Sequence, residues 1–266
     1  MSDISQVEKN NLLLAKIKDK IEISKTKNRI AYSDFMQLSD LSIVKKFIKE
    51  NFITNYIFFG GIENANRQCI VFYPDKLDEE IAMNAIQKEF SAIHIVLPNE
   101  LEYAHGEYLS GLMKIGMVRE KFGDIIVRTK ESDGYAGADV ICFKSIEKTI
   151  LDNLPFLTRF KKADISVIAV NQIQPKVEQY DFIKIIVTSN RLDNFVAELA
   201  HCSRGIAQEY LKAGKVFING INEYKDSKKL GVGDIITIRG KGKFIFDSVL
   251  GETRSNRINI LIKKYK

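Results

Sequence analysis

Cationic side chains are concentrated in the last third of the chain. Residues 191–266 hold 15 Lys and Arg against 8 Asp and Glu, whereas the remaining residues hold 25 against 26. The net charge of +6 therefore arises almost wholly from this segment. Such an asymmetry is typical of a module that binds a polyanion, and RNA is the candidate that we favour. A solvated basic face without a partner remains the alternative for any single lysine run.

The candidate RNA-binding residues lie where helices and strands should begin and end. We expect Arg191, Ser203, Arg204, Lys212 and Lys215 to hold the RNA backbone from two short helices. We expect Arg239, Lys241 and Lys243 to hold it from a sheet edge. The candidates are Arg191, Ser203, Arg204, Lys212, Lys215, Asn219, Lys228, Arg239, Lys241 and Lys243. Glycines alternate with the cations over residues 239–243, and glycine lets a backbone approach phosphate closely.

Local signals predict the elements that position these residues. A helix over about 192–199 is followed by a second one, which Ser203 caps and Gly214 ends. Strands follow at 216–218 and 234–239, and Asn219-Gly220 suits a tight type I′ turn. The segment therefore reads as helix, turn, helix and a small sheet.

Four motifs in this segment resemble the S4 domain, the RNA-binding fold of ribosomal protein S4 and of several RNA-modifying enzymes. They are Arg191-Leu192-Asp193, Ser203-Arg204, the run at 214–220 and Gly233-Asp234-Ile235-Ile236. The continuations at 239–244 and 253–257 resemble the YlmH family of bacterial and plastid proteins. That resemblance implies a protein that binds ribosomal or transfer RNA on or near the large ribosomal subunit. It also implies a role in ribosome-associated quality control and a link to cell division.

The residues before this segment predict two further domains. Helical patterns and a β-hairpin occupy 1–74, and the order strand, helix, strand, strand, helix, strand over 75–180 is that of ferredoxin-like folds and RNA-recognition motifs. The predicted fold class is thus α+β, with a helical and hairpin region, a ferredoxin-like (RRM-like) middle domain and an S4 (αL-type) domain at 181–266. Base stacking on the middle sheet is disfavoured, because its first and third strands offer only His94 and Phe143.

Two stretches before residue 130 also resemble the YlmH family. They are the octapeptide at 60–67 and the run at 105–125. The resemblance makes three of their cations further candidate RNA contacts: Arg67, Arg119 and Lys121.

Other classes of protein and site fit the sequence less well. No apolar run reaches the roughly 18 residues of a membrane span, and the N-terminus lacks the order of a signal peptide. Three dispersed cysteines fit neither a disulfide framework nor a zinc site. We therefore expect a cytoplasmic monomer without metal or cofactor.

Two alternatives to a non-enzymatic RNA-binding adaptor stay open. One is an RNA-modifying enzyme such as a pseudouridine synthase, because such enzymes use the Asp of a Gly-Arg-Leu-Asp motif. Here Asn190 precedes Arg191-Leu192-Asp193, so we expect Asp193 to cap a helix or pair with Arg191. The other is a protein-interaction adaptor that uses the N-terminal helices.

Overall fold

Two compact units make up the chain, at residues Met1–Lys176 and Val177–Lys266. A computed structural model describes residues 2–174 and 180–265. The three predicted domain ranges stay predictions. In the first unit, the parts before and after residue 75 share a hydrophobic core. No described helix has both the length and the apolar character that crossing a bilayer requires.

The first unit alternates helices and strands. Its elements in chain order are α1 Ser2–Lys27, β1 Ala31–Tyr32, β2 Met36–Gln37, α2 Leu38–Glu50, β3 Tyr56–Phe59, β4 Arg67–Phe72, α3 Glu79–Glu89, β5 Phe90–Val96, α4 His105–Lys114, β6 Phe122–Arg128, α5 Lys130–Asp133, β7 Gly137–Phe143, α6 Lys144–Asn153 and β8 Asp164–Ile168. The predicted hairpin is β3 with β4.

The predicted ferredoxin-like arrangement is confirmed. The antiparallel sheet has the order β6-β7-β5-β8, so the strand that comes first in sequence lies between the third and the fourth. Strands β5, β6 and β7 are buried along almost their whole length, as expected of a sheet that is covered on both faces. One face packs on α4 and α6 through Ile93, Tyr108 and Ile150.

The opposite face of this sheet packs on the hairpin and α3. Ala92 and Ile141 share a core with Cys69 and Val71 of β4 and with Ile86 of α3. Burial of each Val or Ile side chain among them stabilises the fold by about 2 kcal/mol. The alternate residues of β4 face α1 and α2 instead, so this strand lies between two cores. In a ferredoxin-like domain that binds RNA on its sheet, this second face would have to stay open.

The second unit has two helices and one six-stranded sheet. Its elements are β9 Tyr180–Val187, α7 Leu192–Ala200, α8 Arg204–Lys212, β10 Val216–Ile218, β11 Ile221–Asn222, β12 Ile235–Ile238, β13 Gly242–Glu252 and β14 Ile258–Tyr265. The sheet order is β11-β10-β12-β13-β14-β9. Both helices and one sheet face share a core that includes Leu192, Leu211, Ile236, Phe246 and Ile260.

The structure contains the predicted turn of this unit and also a long hairpin that was not predicted. Asn219 and Gly220 have positive φ angles of 51° and 79°, as the predicted turn requires. Strands β13 and β14 were not predicted, although the alternation of Ile258, Ile260 and Ile262 marks the second of them. The first strand of the unit, β9, pairs with the last one, β14.

Candidate nucleic-acid interface

A buried carboxylate ties together the two arginines at the starts of α7 and α8. Asp193 is fully buried, and its oxygens accept bonds from Arg191 Nε and Nη2 at 3.1 and 3.0 Å. Arg204 Nε donates to Asp193 Oδ2 at 2.7 Å. The arginine side chains remain 33% and 51% exposed. One buried anion thus fixes two guanidinium groups whose outer edges face solvent.

The local backbone explains why these three residues meet. Ser203 caps α8, since its hydroxyl accepts from the N–H of Ile206 at 3.3 Å, and Arg204 is therefore the first helical residue. The N–H of Leu192 donates to the carbonyl of Lys228 at 2.8 Å, which ties the start of α7 to the loop after β11. The predicted cap at Ser203 and the predicted pairing of Asp193 with Arg191 are both present.

The arginines also set the ionisation of Asp193. Burial would raise the pKa of its carboxyl group, but hydrogen bonds from Arg191 and Arg204 outweigh burial and hold the pKa below the usual 3.8. The same loop adds Asp226, whose Oδ2 lies 3.5 Å from Arg191 Nη2 and accepts from Gln208 at 3.0 Å. Asp226 and Gln208 were not predicted as part of the site.

A second group of cations lies at one end of the sheet. The N–H of Arg239 donates to the carbonyl of Lys215 at 2.9 Å, so these residues are neighbours on adjacent strands. The guanidinium carbon of Arg239 is 4.9 Å from the Phe217 ring centroid, and Lys243 Nζ is 4.4 Å from that of Tyr265. Two of the predicted cations of the sheet edge, Arg239 and Lys243, thus lie against aromatic rings.

The turn at 239–242 approaches the connection between the helices. Burial raises the pKa of the Cys202 thiol, and the charge of nearby Lys241 opposes this shift. Cys202 follows His201, whose φ of 52° ends α7, as expected for local helix-turn structure.

Three other predicted contacts in this unit have different surroundings. Lys212 is exposed in the last turn of α8. Lys228 Nζ pairs with Glu223 at 2.9 Å. Asn219 donates to Asp234 at 2.8 Å and accepts from the N–H of Ile235 at 2.9 Å, so both ends of its amide support the turn. RNA contact by these residues stays a prediction.

The candidate cations of the first unit are engaged by the protein itself. Arg67 donates to the carbonyls of Phe35 and Arg119, and Arg119 donates to those of Phe122 and Gly123, at 2.8 to 3.1 Å. Burial, reinforced by the charge of Arg67, lowers the pKa of Arg119 to about 10. Lys121 lies near the surface and pairs with Asp34 at 2.8 Å. RNA contact by these three residues also stays a prediction.

The two stretches at 60–67 and 105–125 meet in the fold. The backbone N–H of Asn66 donates to Asp124 Oδ2 at 2.7 Å, which needs no particular side chain at position 66. A Cβ atom at Gly60 would lie 2.3 Å from the Cβ of Ala65, so this turn requires glycine. The pattern of the octapeptide at 60–67 is therefore explained by its tight turn and by its hydrogen bond to Asp124.

A buried ionic cluster in the first unit was missed by the sequence analysis. Arg128 is 1% exposed and donates to Asp139 Oδ2 through Nε and Nη2, at 2.9 and 2.6 Å. His94 Nδ1 lies 2.6 Å from Asp139 Oδ1, so this histidine is not isolated. Strand pairing of β5, β6 and β7 creates the cluster, and no local spacing reveals it.

Neither candidate for base stacking on the middle sheet is available. His94 is bound to Asp139 and packs against Tyr135, at 5.6 Å between ring centroids. The Phe143 ring lies within 4.6 to 5.3 Å of the Phe90 and Phe35 rings. Both rings contribute to the packing of the first unit.

Comparison with known proteins identifies the basic segment. The family model described as S4 domain matches residues 190–236. The chain is 24% identical over 210 residues to "Ribosome-associated protein quality control protein P2" of Bacillus subtilis (strain 168), which covers 79% of this chain and 77% of that protein.

A solved structure, "Cell division protein ylmH from Streptococcus pneumoniae", is 18% identical with a TM-score of 0.46. The match covers 65% of this chain and 96% of that one. The family match shows that the chain contains an S4 domain, and the resemblance that its sequence predicts is confirmed by that match and by the relative from Bacillus subtilis.

Proposed function

We propose that this chain is a non-enzymatic RNA-binding protein that holds structured ribosomal or transfer RNA through its S4 domain. The observation that carries the proposal is the pair of half-exposed guanidinium groups that buried Asp193 fixes at the starts of α7 and α8. The proposed place of action is the ribosome, on or near its large subunit, in the cytoplasm. The relative from Bacillus subtilis is called a ribosome-associated quality control protein, and this name supports the proposal. A link to cell division follows from the family resemblance.

Arginine suits this task because its planar fork can bind two phosphate oxygens at once. Among the described residues, Arg204 donates to the protein only through Nε, so its two terminal nitrogens can serve a ligand. Lys212 and Lys215 would add charge from the end of α8. Phosphate contacts carry little sequence information, so we expect the S4 domain to recognise the shape of a folded RNA.

The geometry disfavours the RNA-modifying enzyme. A nucleophilic Asp must reach a base, whereas Asp193 is fully buried with both oxygens engaged by arginines. Its environment keeps the carboxylate in place as a structural anion. We therefore expect bound RNA to remain chemically unchanged.

Co-sedimentation with ribosomal subunits on sucrose gradients tests the proposal. We expect the wild-type protein to sediment with the large subunit, and the Arg204→Ala, Lys212→Ala, Lys215→Ala triple variant to remain at the top. Lys46→Ala is the matched control, because this exposed lysine of α2 lies in the first unit and pairs only with exposed Glu50 among the described contacts. Equal sedimentation of all three proteins would contradict S4-mediated binding and favour a contact through the first unit.

The salt dependence of RNA affinity tests the electrostatic account separately. If about five cations contact phosphates of a single-strand-like RNA, log affinity should fall with log salt at a slope of roughly −3.5. The triple variant should lose about 2 units of that slope, since each contact contributes about 0.7. A wild-type slope near zero would contradict phosphate binding, while the Lys46→Ala slope should equal that of the wild type.

A further inference from the structure

The sheet of the second unit has an outer face, which lies opposite α7 and α8. Residues such as Ile236, Phe244 and Ile262 point to the helices and are buried. Side chains alternate along a strand, so the residues between them point to the outer face. We call this surface the outer sheet face; it includes Phe182, Lys184, Phe217, Lys243, Lys263 and Tyr265.

One row of this face combines three aromatic rings with a threonine and a lysine. Phe217 is paired with Thr237, and Thr237 is paired with Lys243. Lys243 Nζ lies 4.4 Å from the Tyr265 ring centroid, and the Tyr265 and Tyr180 centroids are 5.0 Å apart. The row therefore crosses the sheet from β10 to β9, with its lysine between Thr237 and the Tyr265 ring.

The adjacent row also places a lysine beside aromatic rings. Ile245 is paired with Lys263, and Lys263 is paired with Phe182. Lys263 Nζ lies 5.8 Å from the Tyr180 centroid and 6.0 Å from the Phe182 centroid, and it pairs with Asp247 at 2.5 Å. Phe182 is 63% exposed.

The mixture of rings and lysines indicates what could cover this face. A protein partner favours surfaces whose centres are depleted of lysine. Single-stranded nucleic acid favours the opposite combination, because its bases stack on aromatic rings while its phosphates bind cations. Arg239, at the end of β12 and over Phe217, extends the positive charge at the edge of the face.

We propose that the outer sheet face binds a single-stranded segment of RNA, with an unpaired base stacked on Phe182 and phosphates bound by Lys243 and by Lys184, which is exposed two residues along β9 from Phe182. Lys263 is already paired with Asp247 and supports the face from within. This surface differs from the helix starts around Asp193, where folded RNA is proposed to bind. The inference deepens the proposed function and rests on it, since one RNA with paired and unpaired parts would occupy both surfaces.

The test uses the full-length chain and a short uridine-rich RNA that carries one 2-aminopurine, whose fluorescence is quenched when the base stacks. Phe182→Ala and Phe182→Leu should weaken binding at least 5-fold and abolish the quenching, because stacking one base on a ring contributes about 1–3 kcal/mol. Phe182→Tyr keeps a ring and should bind within about 2-fold of the wild type. Since Phe182 is exposed, none of these changes should unfold the sheet.

Three results would overturn the inference. They are equal quenching in wild type and Phe182→Ala, full binding by Phe182→Leu, or a change in oligomeric state on light scattering with RNA affinity unchanged. The last result would mark the face as a contact between copies of the chain. A hairpin RNA, assayed with the Arg204, Lys212 and Lys215 triple variant, reports on the proposed function. The two proposals can therefore fail independently.

Discussion

The two main sheets of this protein differ in how many of their faces are buried. Strands β5, β6 and β7 of the first unit are buried almost continuously, because helices cover one face and the β3–β4 hairpin with α3 covers the other. Strands β12 and β14 of the second unit alternate between buried and half-buried residues, since helices cover only one face. Among the described residues, both faces of the first unit's sheet are therefore covered, whereas α7 and α8 cover only one face of the second unit's sheet.

The arginines of the two units also differ in how far the protein itself binds their side chains. In the first unit Arg128, Arg67 and Arg119 donate to carboxylates or backbone carbonyls within the fold. In the second unit Arg191 and Arg204 share one buried carboxylate and keep part of each guanidinium in solvent. The contrast teaches that the number of cations does not identify a binding surface. What matters is whether the protein has already used their hydrogen-bond donors.

The largest expected effect is on the buried ionic cluster of the first unit. Asp139→Ala should lower the free energy of unfolding of this unit by about 3–5 kcal/mol, because it leaves the Arg128 charge buried with fewer partners. Hydrogen exchange read by mass spectrometry should show faster exchange in β5, β6 and β7. Asp164→Ala, an exposed change at the start of β8, is the control. Loss of RNA affinity with an intact second unit would break the comparison, since it would give the first unit a binding role.

An intermediate effect is expected at Asp193. Asp193→Asn should destabilise the second unit by about 2–4 kcal/mol and weaken RNA binding, because the buried charge that holds Arg191 and Arg204 is gone. Urea unfolding and RNA titration measure the two effects. Glu198→Gln is the control on the same helix, where the side chain is exposed.

The Asp193 effect should depend on pH. The folded pKa lies below the usual 3.8, so the ionised carboxylate contributes its full stability above about pH 4, and this contribution is lost as pH falls through the folded pKa. The stability difference between wild type and Asp193→Asn should therefore shrink below about pH 4. A difference that stays constant down to pH 2 would show that the carboxylate does not hold the arginines through its charge.

The smallest effect is expected at Lys121, the most exposed of the candidate cations in the first unit. Lys121→Ala removes a surface pair with Asp34 and should change stability by less than about 1 kcal/mol. We expect the salt dependence of RNA affinity to stay unchanged. A slope reduced by about 0.7 would instead show that Lys121 contacts phosphate, as the sequence predicts, and would weaken the contrast between the units.

The sequence by itself determined what depends on near neighbours along the chain. The Ser203 cap needs only a hydroxyl before a helix, and the turn at Asn219-Gly220 needs only residues that tolerate positive φ. Composition likewise shows the concentration of cations after residue 190. The periodicity of apolar residues predicts the order strand, helix, strand, strand, helix, strand in the first unit.

Only the tertiary structure decided which of these residues act together. Asp193 reaches Arg204 across the turn between two helices, Asp139 reaches Arg128 across paired strands, and β9 joins β14 from the other end of the unit. The hairpin that covers the middle sheet and the rows of rings and lysines on the outer sheet face are also products of pairing and register. The physical reason is that register and packing join residues distant in sequence, and a carboxylate or a ring acquires its role from the partners that this brings within reach.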